Sequence, residues 1–247
     1  MITKTLIAIG RRSVVVAGLL LANVVSYSTA QEIPKRMGRF GVKPGEVITR
    51  PDLSQRWRDE LKVGQIAPEF TLPLLKRENR NPTSELPHAA LDTEVSLKKL
   101  RAHKPVVLIF GSITCPPFRN QLDGIDDVYD NFRDRVEFLF VYVREAHPDS
   151  ILSLADNQGS ESLQKIPQAT DASQRTQAAA YCQKSLELKL PIAVDTIDNR
   201  IGQVYAGWPN RMVVVDTNGK IIFASEPSPG GADAKKLRVW LTTNIGQ

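Results

Sequence analysis

Only two cysteines, Cys115 and Cys182, occur in the 247 residues, and they form no C-x-x-C pair, because Phe118 stands where the second thiol would be. That excludes rapid disulfide exchange through an adjacent thiol. Sixty-six residues separate the two thiols, which fits neither a zinc knuckle nor a disulfide-rich scaffold. Histidine is almost as scarce. His88, His103 and His147 are scattered and give no metal constellation. The longest apolar run near the N-terminus, Val14 to Val25, is about a dozen residues, short of the roughly 20 that a membrane-spanning helix needs. There is no cluster of Lys and Arg. The formal charge of +5 falls to +2 without Lys4, Arg11 and Arg12, too little to argue for a nucleic-acid partner. No internal repeat is visible.

What is present begins with a secretory pattern. Lys4, Arg11 and Arg12 form a basic start, the apolar run follows, and Ser28-Thr29-Ala30 offers small residues for cleavage. Residues 1–30 therefore read as a signal peptide, and the expected location is periplasmic or secreted, with a mature chain that does not span a membrane. Residues 31–62 are polar, basic and Pro-containing, an arm ending in a short helix over 53–61. The remaining 63–247 make one domain. At 42% hydrophobic and 24% charged, the chain has enough apolar material for a core.

Within the domain, Gly64 and Pro68 punctuate short apolar stretches, which predicts turns and a small edge hairpin. Residues 75–92 read as a surface loop. Val106 to Phe110 and Val136 to Val143 are continuous apolar runs of strand length, as expected for strands buried on both faces. Between them, Pro116 and Pro117 open a helix, where proline is tolerated because the first amides are unpaired. Phe118, Leu122, Ile125, Tyr129 and Phe132 give that helix one apolar face. A polar stretch runs from 150 to about 170, then a helix over 172–186 carries Cys182. Strands follow at 191–194, 211–215 and 221–225, the last two joined by a turn with the Asn218-Gly219 signal. A final helix covers 232–243. The order predicts an α/β fold of three layers, α/β/α, around a central mixed sheet.

Cys115 ends the loop between the first buried strand and its helix. Unpaired amides and the macrodipole at a helix start favour an anion, and the thiolate is the reactive form of cysteine. The position predicts a lowered pKa and some solvent access.

Two segments now resemble known families. Val63-Gly64-Gln65-Ile66-Ala67-Pro68-Glu69-Phe70-Thr71-Leu72 is similar to the opening of peroxiredoxins and other thioredoxin-fold redoxins. Phe110-Gly111-Ser112-Ile113-Thr114-Cys115-Pro116-Pro117-Phe118 resembles the active-site segment of iodothyronine deiodinases, in which a selenocysteine stands where Cys115 stands here. Glu145-Ala146-His147-Pro148 is similar to that family's E-E-A-H segment, and Ile166-Pro167-Gln168, Arg175, Asp195-Thr196, Tyr205 and Arg211 fall in register over about 105–241. The resemblance implies a thioredoxin-like fold and Cys115 as nucleophile toward iodine or another electrophile. It implies His147 as acid–base or substrate-polarising partner, no bound cofactor or metal, and an external thiol reductant. The substrate would be a small molecule, an iodinated or halogenated aromatic or a peroxide. The sequence departs from the family at Arg144 (Glu in the family), Ile113 (a second Cys), Ala169 (His after I-P-Q) and Asp149 to Leu152 (S-D-G-W). From peroxiredoxins it departs at Leu108, which stands in place of a proline.

The supporting residues have two readings each. Ser112 and Thr114 could donate to the thiolate or cap the helix. Glu145 could orient His147 or be a surface carboxylate. Arg211 could stabilise the thiolate or bind an anionic substrate, or form a surface ion pair. Cys182 is a candidate resolving thiol or packed core. Besides the deiodinase-like oxidoreductase, a peroxiredoxin-like peroxidase using Cys115 and a non-catalytic thioredoxin-fold binding module remain as alternatives.

Overall fold

A computed structural model of the protein describes residues 41–51, 53, 56–76, 91–155, 160–227 and 231–246. All of them belong to one compact unit, Pro34–Gln247. The segment 1–30 expected to be a signal peptide, the first part of the arm and most of the expected 75–92 loop lie outside the described residues.

The elements run in chain order as β1 (Thr71–Leu75), β2 (Leu91–Ser96), α1 (Leu97–Leu100), β3 (Val106–Gly111), α2 (Pro116–Arg119), α3 (Leu122–Phe132), β4 (Glu137–Tyr142), β5 (Ser150–Ala155), β6 (Glu161–Ile166), α4 (Ala172–Ser185), β7 (Ile192–Val194), α5 (Arg200–Val204), β8 (Arg211–Val215), β9 (Ile221–Ala224) and α6 (Ala234–Asn244). Seven strands form a mixed sheet in the order β2-β1-β7-β4-β3-β8-β9. Its centre is parallel, β3 with β4 and β4 with β7. Strand β8 runs antiparallel to β3, and β1, β2 and β9 add antiparallel edges.

The two apolar central runs are strands because alternate residues are buried on opposite faces. Val107, Ile109, Phe138 and Phe140 pack with Leu122, Ile125, Ala179 and Leu237 of α3, α4 and α6. Val106, Leu108, Leu139 and Val141 pack with Leu97 of α1 and Ile201 of α5 on the other face. This is the three-layer thioredoxin-like α/β/α architecture expected from the order of elements. Among the described residues, no helix is long and apolar enough to cross a membrane.

Five local expectations change. Residues 56–61 form no helix. Instead Trp57 and Leu61 pack against the sheet, and Asp59 reaches Arg211. The expected edge hairpin within 63–72 is a turn at Gly64, whose φ of +96° suits glycine, followed by β1, whose hairpin partner is β2. That second strand also begins at Leu91, inside the stretch read as loop. The helix after Cys115 is broken after one turn: α2 stops at Arg119, the Gln121 amide donates back to Phe118 O, and α3 starts at Leu122. The polar stretch after Asp149 contains a β-hairpin, β5 with β6. It forms a sheet of its own. Val47 of the arm pairs with its first strand, β5, through two backbone hydrogen bonds to Ile151, of 2.9 and 2.8 Å.

Candidate functional site

Because β3 and β4 are parallel and in register from Val106↔Glu137 to Gly111↔Tyr142, the loops that follow them leave the same edge of the sheet. Cys115 ends one loop and His147 sits on the other, as open α/β sheets arrange their sites. Gly111 is required where the first loop departs. A Cβ there would lie 2.8 Å from the Phe118 ring, which stacks on Phe140 with centroids 4.8 Å apart.

Thr114 ties the two loops together. Its backbone N–H and its hydroxyl both donate to Glu145 Oε2, at 3.2 and 2.5 Å. The same hydroxyl oxygen accepts the His147 N–H at 3.1 Å. Ser112 Oγ accepts the Ala146 N–H at 3.1 Å. Tyr142 donates its hydroxyl to Glu145 Oε1 through a short hydrogen bond, and Trp208 Nε1 donates to the Glu145 carbonyl at 3.2 Å. Glu145 is buried. Desolvation raises its carboxyl pKa, against the bonds from Thr114 and Tyr142 that lower it. Burial and the nearby Glu145 and Cys182 charges drive the Tyr142 phenol well above its ordinary range.

His147 is half-buried, and its ring Nδ1 lies 2.7 Å from the carbonyl of Thr49. Thr49 in turn is held by Pro148 O and Ser150 Oγ. The arm residues 41–50 therefore orient the histidine. They also reach α2: Arg119 forms a two-pronged ion pair with Glu46, Nη2 to Oε1 3.0 Å and Nη1 to Oε2 3.1 Å, and donates to Gly41 O.

Cys115 itself is 0% exposed. Asn210 Nδ2 donates to its sulfur at 3.2 Å. Desolvation pushes the thiol up to about 11, against the Phe118 amide, Asn210 and Arg119, which pull it down, while the Glu145 charge adds to the rise. The expected lowered pKa and solvent access are thus corrected. A single turn of helix has little macrodipole to offer, and complete burial outweighs it.

The other expected residues divide. Ser112 and Thr114 serve the Glu145–His147 loop rather than the sulfur or a helix cap. Glu145 is no surface carboxylate and does not touch the His147 ring; it acts on His147 through Thr114. Arg211 lies on the face of β8 opposite Met212, which packs in the cluster of Cys115. Its guanidinium is committed to Asp59 (2.7 and 3.0 Å), Tyr205 O and Ser225 O. It is a buried structural cation, neither a thiolate partner nor a surface pair. Cys182 shares the apolar cluster of Cys115; both are buried and neither is in a disulfide. Arg175, in the family register, donates to Thr196 O and Asn199 Oδ1. Asn210, Tyr142, Thr49 and the Glu46–Arg119 pair were not singled out by sequence. Among the described residues, no three His, Cys, Asp or Glu side chains converge as metal ligands. A surface groove of about 630 Å³ beside α6 is lined by Phe223, Val239 and Trp240, and Cys115 is not among its lining residues.

A lone thiol at a strand-to-helix junction of this three-layer sheet, tied to the loop of the neighbouring parallel strand, defines a thioredoxin-fold thiol protein. Within that class, the family model described as iodothyronine deiodinase matches residues 54–245, and the chain belongs to that family. It is 32% identical over 142 residues to a thyroxine 5-deiodinase of Gallus gallus, covering 57% of this chain and 52% of that protein. It is 29% identical over 141 residues to the thyroxine 5-deiodinase of Ovis aries, covering 57% and 46%. The chain thus spans about half the length of these relatives. Among solved structures, it resembles the thioredoxin domain of a thiol-disulfide oxidoreductase from Bacteroides vulgatus with a TM-score of 0.48 and 15% identity, over 75% of this chain and 99% of that one.

Proposed function

We propose that the protein is an exported, thiol-dependent oxidoreductase in which Cys115 reductively removes halogen from a small aromatic substrate. The observation that carries this reading is the tie through Thr114, which joins the residue before Cys115 to Glu145 and to the backbone of His147. In the proposed cycle the thiolate attacks iodine. The aromatic C–I bond breaks, an S–I bond forms, and the ring carbon takes a proton supplied at the His147 side of the site. One external thiol displaces iodide and leaves a mixed disulfide. A second thiol releases Cys115 and becomes, with the first, the oxidised reductant. Two thiols thus supply the two electrons. Cys182 stands as the alternative resolving thiol.

The complete burial of Cys115 favours one other electrophile, hydrogen peroxide, because it is small enough to reach a covered sulfur. The assay is iodide release from an iodinated phenol, run beside peroxide consumption, both with dithiothreitol. Cys115→Ser abolishes turnover, and His147→Ala slows it on the order of a hundredfold, the usual worth of a positioned acid or base. Undiminished turnover by Cys115→Ser removes the whole reading. Peroxide consumption without iodide release selects the peroxidase. Export is tested separately: N-terminal sequencing of the mature protein should begin at Gln31.

A further inference from the structure

We infer that Asn210 is a catalytic residue of this protein: a carboxamide fixed at one end aims its N–H at the Cys115 sulfur and stabilises the thiolate. The inference rests on Cys115 being the nucleophile.

The orientation of the amide is determined by chemistry. The Ala232 backbone N–H can only donate, and it lies 2.5 Å from one end of the Asn210 side chain, so that end is the oxygen. The NH₂ group must then face the sulfur, 3.2 Å away. Both side chains are fully buried, so no water competes for the bond. A hydrogen bond in a dry site strengthens when its acceptor becomes charged. The contact is therefore worth more to the thiolate than to the thiol, which a transition-state contribution requires.

The fold builds this placement from three directions. Strand β8 runs antiparallel to β3 with Arg211 opposite Phe110. Asn210, the residue before β8, thus lies beside the point where β3 departs toward Cys115. The chain before it enters through the cis Trp208–Pro209 peptide. The segment that leads into α6 then closes on Asn210: a Cβ at Gly231 would lie 2.1 Å from the Asn210 carbonyl oxygen and 3.0 Å from Oδ1. Only glycine lets that segment come close enough for Ala232 to hold the amide. The charges that face the sulfur are Glu145 from the loop after β4, which opposes ionisation, and Arg119 from α2, which favours it. Both act on the sulfur as charges.

The test reads the sulfur directly, by the ¹³Cβ chemical shift of Cys115 against pH in cysteine-labelled protein carrying Cys182→Ser. About half of the parent sulfur should be thiolate at pH 11. In Asn210→Ala it should still be thiol there, a shift of about one pH unit, or roughly tenfold less thiolate at fixed pH. Asn210→Asp keeps the acceptor for Ala232 and replaces the donor with an anion, so it should move the midpoint further the same way. Turnover of the iodinated phenol or of peroxide should fall about tenfold or more in both variants. Circular dichroism and urea unfolding establish that each is folded. An unmoved sulfur titration in the folded variants overturns the role of Asn210 even with Cys115→Ser inactive. A moved titration with turnover intact in Cys115→Ser overturns it together with the reading of Cys115 as nucleophile.

Discussion

Glu46 and Arg119 face each other across a sequence distance of 73 residues, with side chains 0% and 1% exposed and the Nη2–Oε1 contact at 3.0 Å. The same carboxylate accepts the Ser153 and Lys43 N–H groups at 2.9 and 3.0 Å. Arm, β5–β6 hairpin and the helix that follows Cys115 thus converge on one anion.

Glu46→Ala leaves the Arg119 charge buried without this partner. Breaking such a pair costs about 3–5 kcal/mol, and urea unfolding should show a loss of that size. In protein that remains folded, alkylation of Cys115 by iodoacetamide should accelerate, since the arm is released from α2. Unchanged stability would show that Glu46 does not hold the arm.

The pH dependence of the thiol has a definite sign. Burial raises the Cys115 pKa from 9.0 to about 11, so the folded chain keeps its proton longer than the unfolded one. The associated stability is fully present below pH 9 and is lost as pH rises through 11. The parent should lose about 3 kcal/mol relative to Cys115→Ala over that interval. Parallel stability curves for the two proteins would contradict the burial of the sulfur.

Glu145 obeys the same sign at lower pH. Desolvation raises its pKa above 4.5. Its contribution is therefore present below pH 4.5 and declines as pH rises through the raised value. Glu145→Gln retains an acceptor for Thr114 and cannot ionise, so it should become more stable relative to the parent as pH is increased from 4 to 8. A difference that does not vary with pH would mean that Glu145 is solvated.

Asp59→Ala tests the assignment of Arg211. Burial raises the Asp59 carboxyl pKa, but the hydrogen bonds and charge of Arg211 outweigh it and hold it below its ordinary value. Its stabilisation is thus present above pH 3.8 and lost as pH falls through the lowered pKa. Removing the carboxylate should cost roughly 2–3 kcal/mol, discounted for the part of the pair that water reaches. Turnover per folded molecule should be unchanged. A selective loss of turnover would return Arg211 to the site.

The central strands were legible because Val106 to Phe110 and Val136 to Val143 are apolar on both faces, which few other elements are. The relation of Cys115 to His147 was legible for the same reason: two parallel strands must release their loops on one edge. The β5–β6 hairpin was not. Its strands, SILSLA and ESLQKI, mix polar and apolar residues, and their pairing with Val47 depends on a segment a hundred residues away. The break at Asn120–Gln121 has no proline or glycine to announce it; Gln121 leaves the helix pattern to accept the Ala234 amide at the start of α6. Arg211 misled because an arginine beside the strand that leads to Cys115 looks functional until the alternation of β8 turns it to the other face. Asn210 escaped notice because a lone asparagine before a strand reads as a turn residue, and its meaning comes from Ala232 and Cys115, both distant in sequence.

The convergence at Glu46 also decides where a fragment of this protein can begin. A recombinant fragment started at residue 63, where the repeating strand and helix pattern takes hold, would contain every element of the main sheet. It would also strip Arg119 of its counter-ion, His147 of the carbonyl that orients it, and Arg211 of Asp59. Such a fragment would be the wrong sample for measuring the chemistry of Cys115, and the smallest useful one begins at or before Gly41.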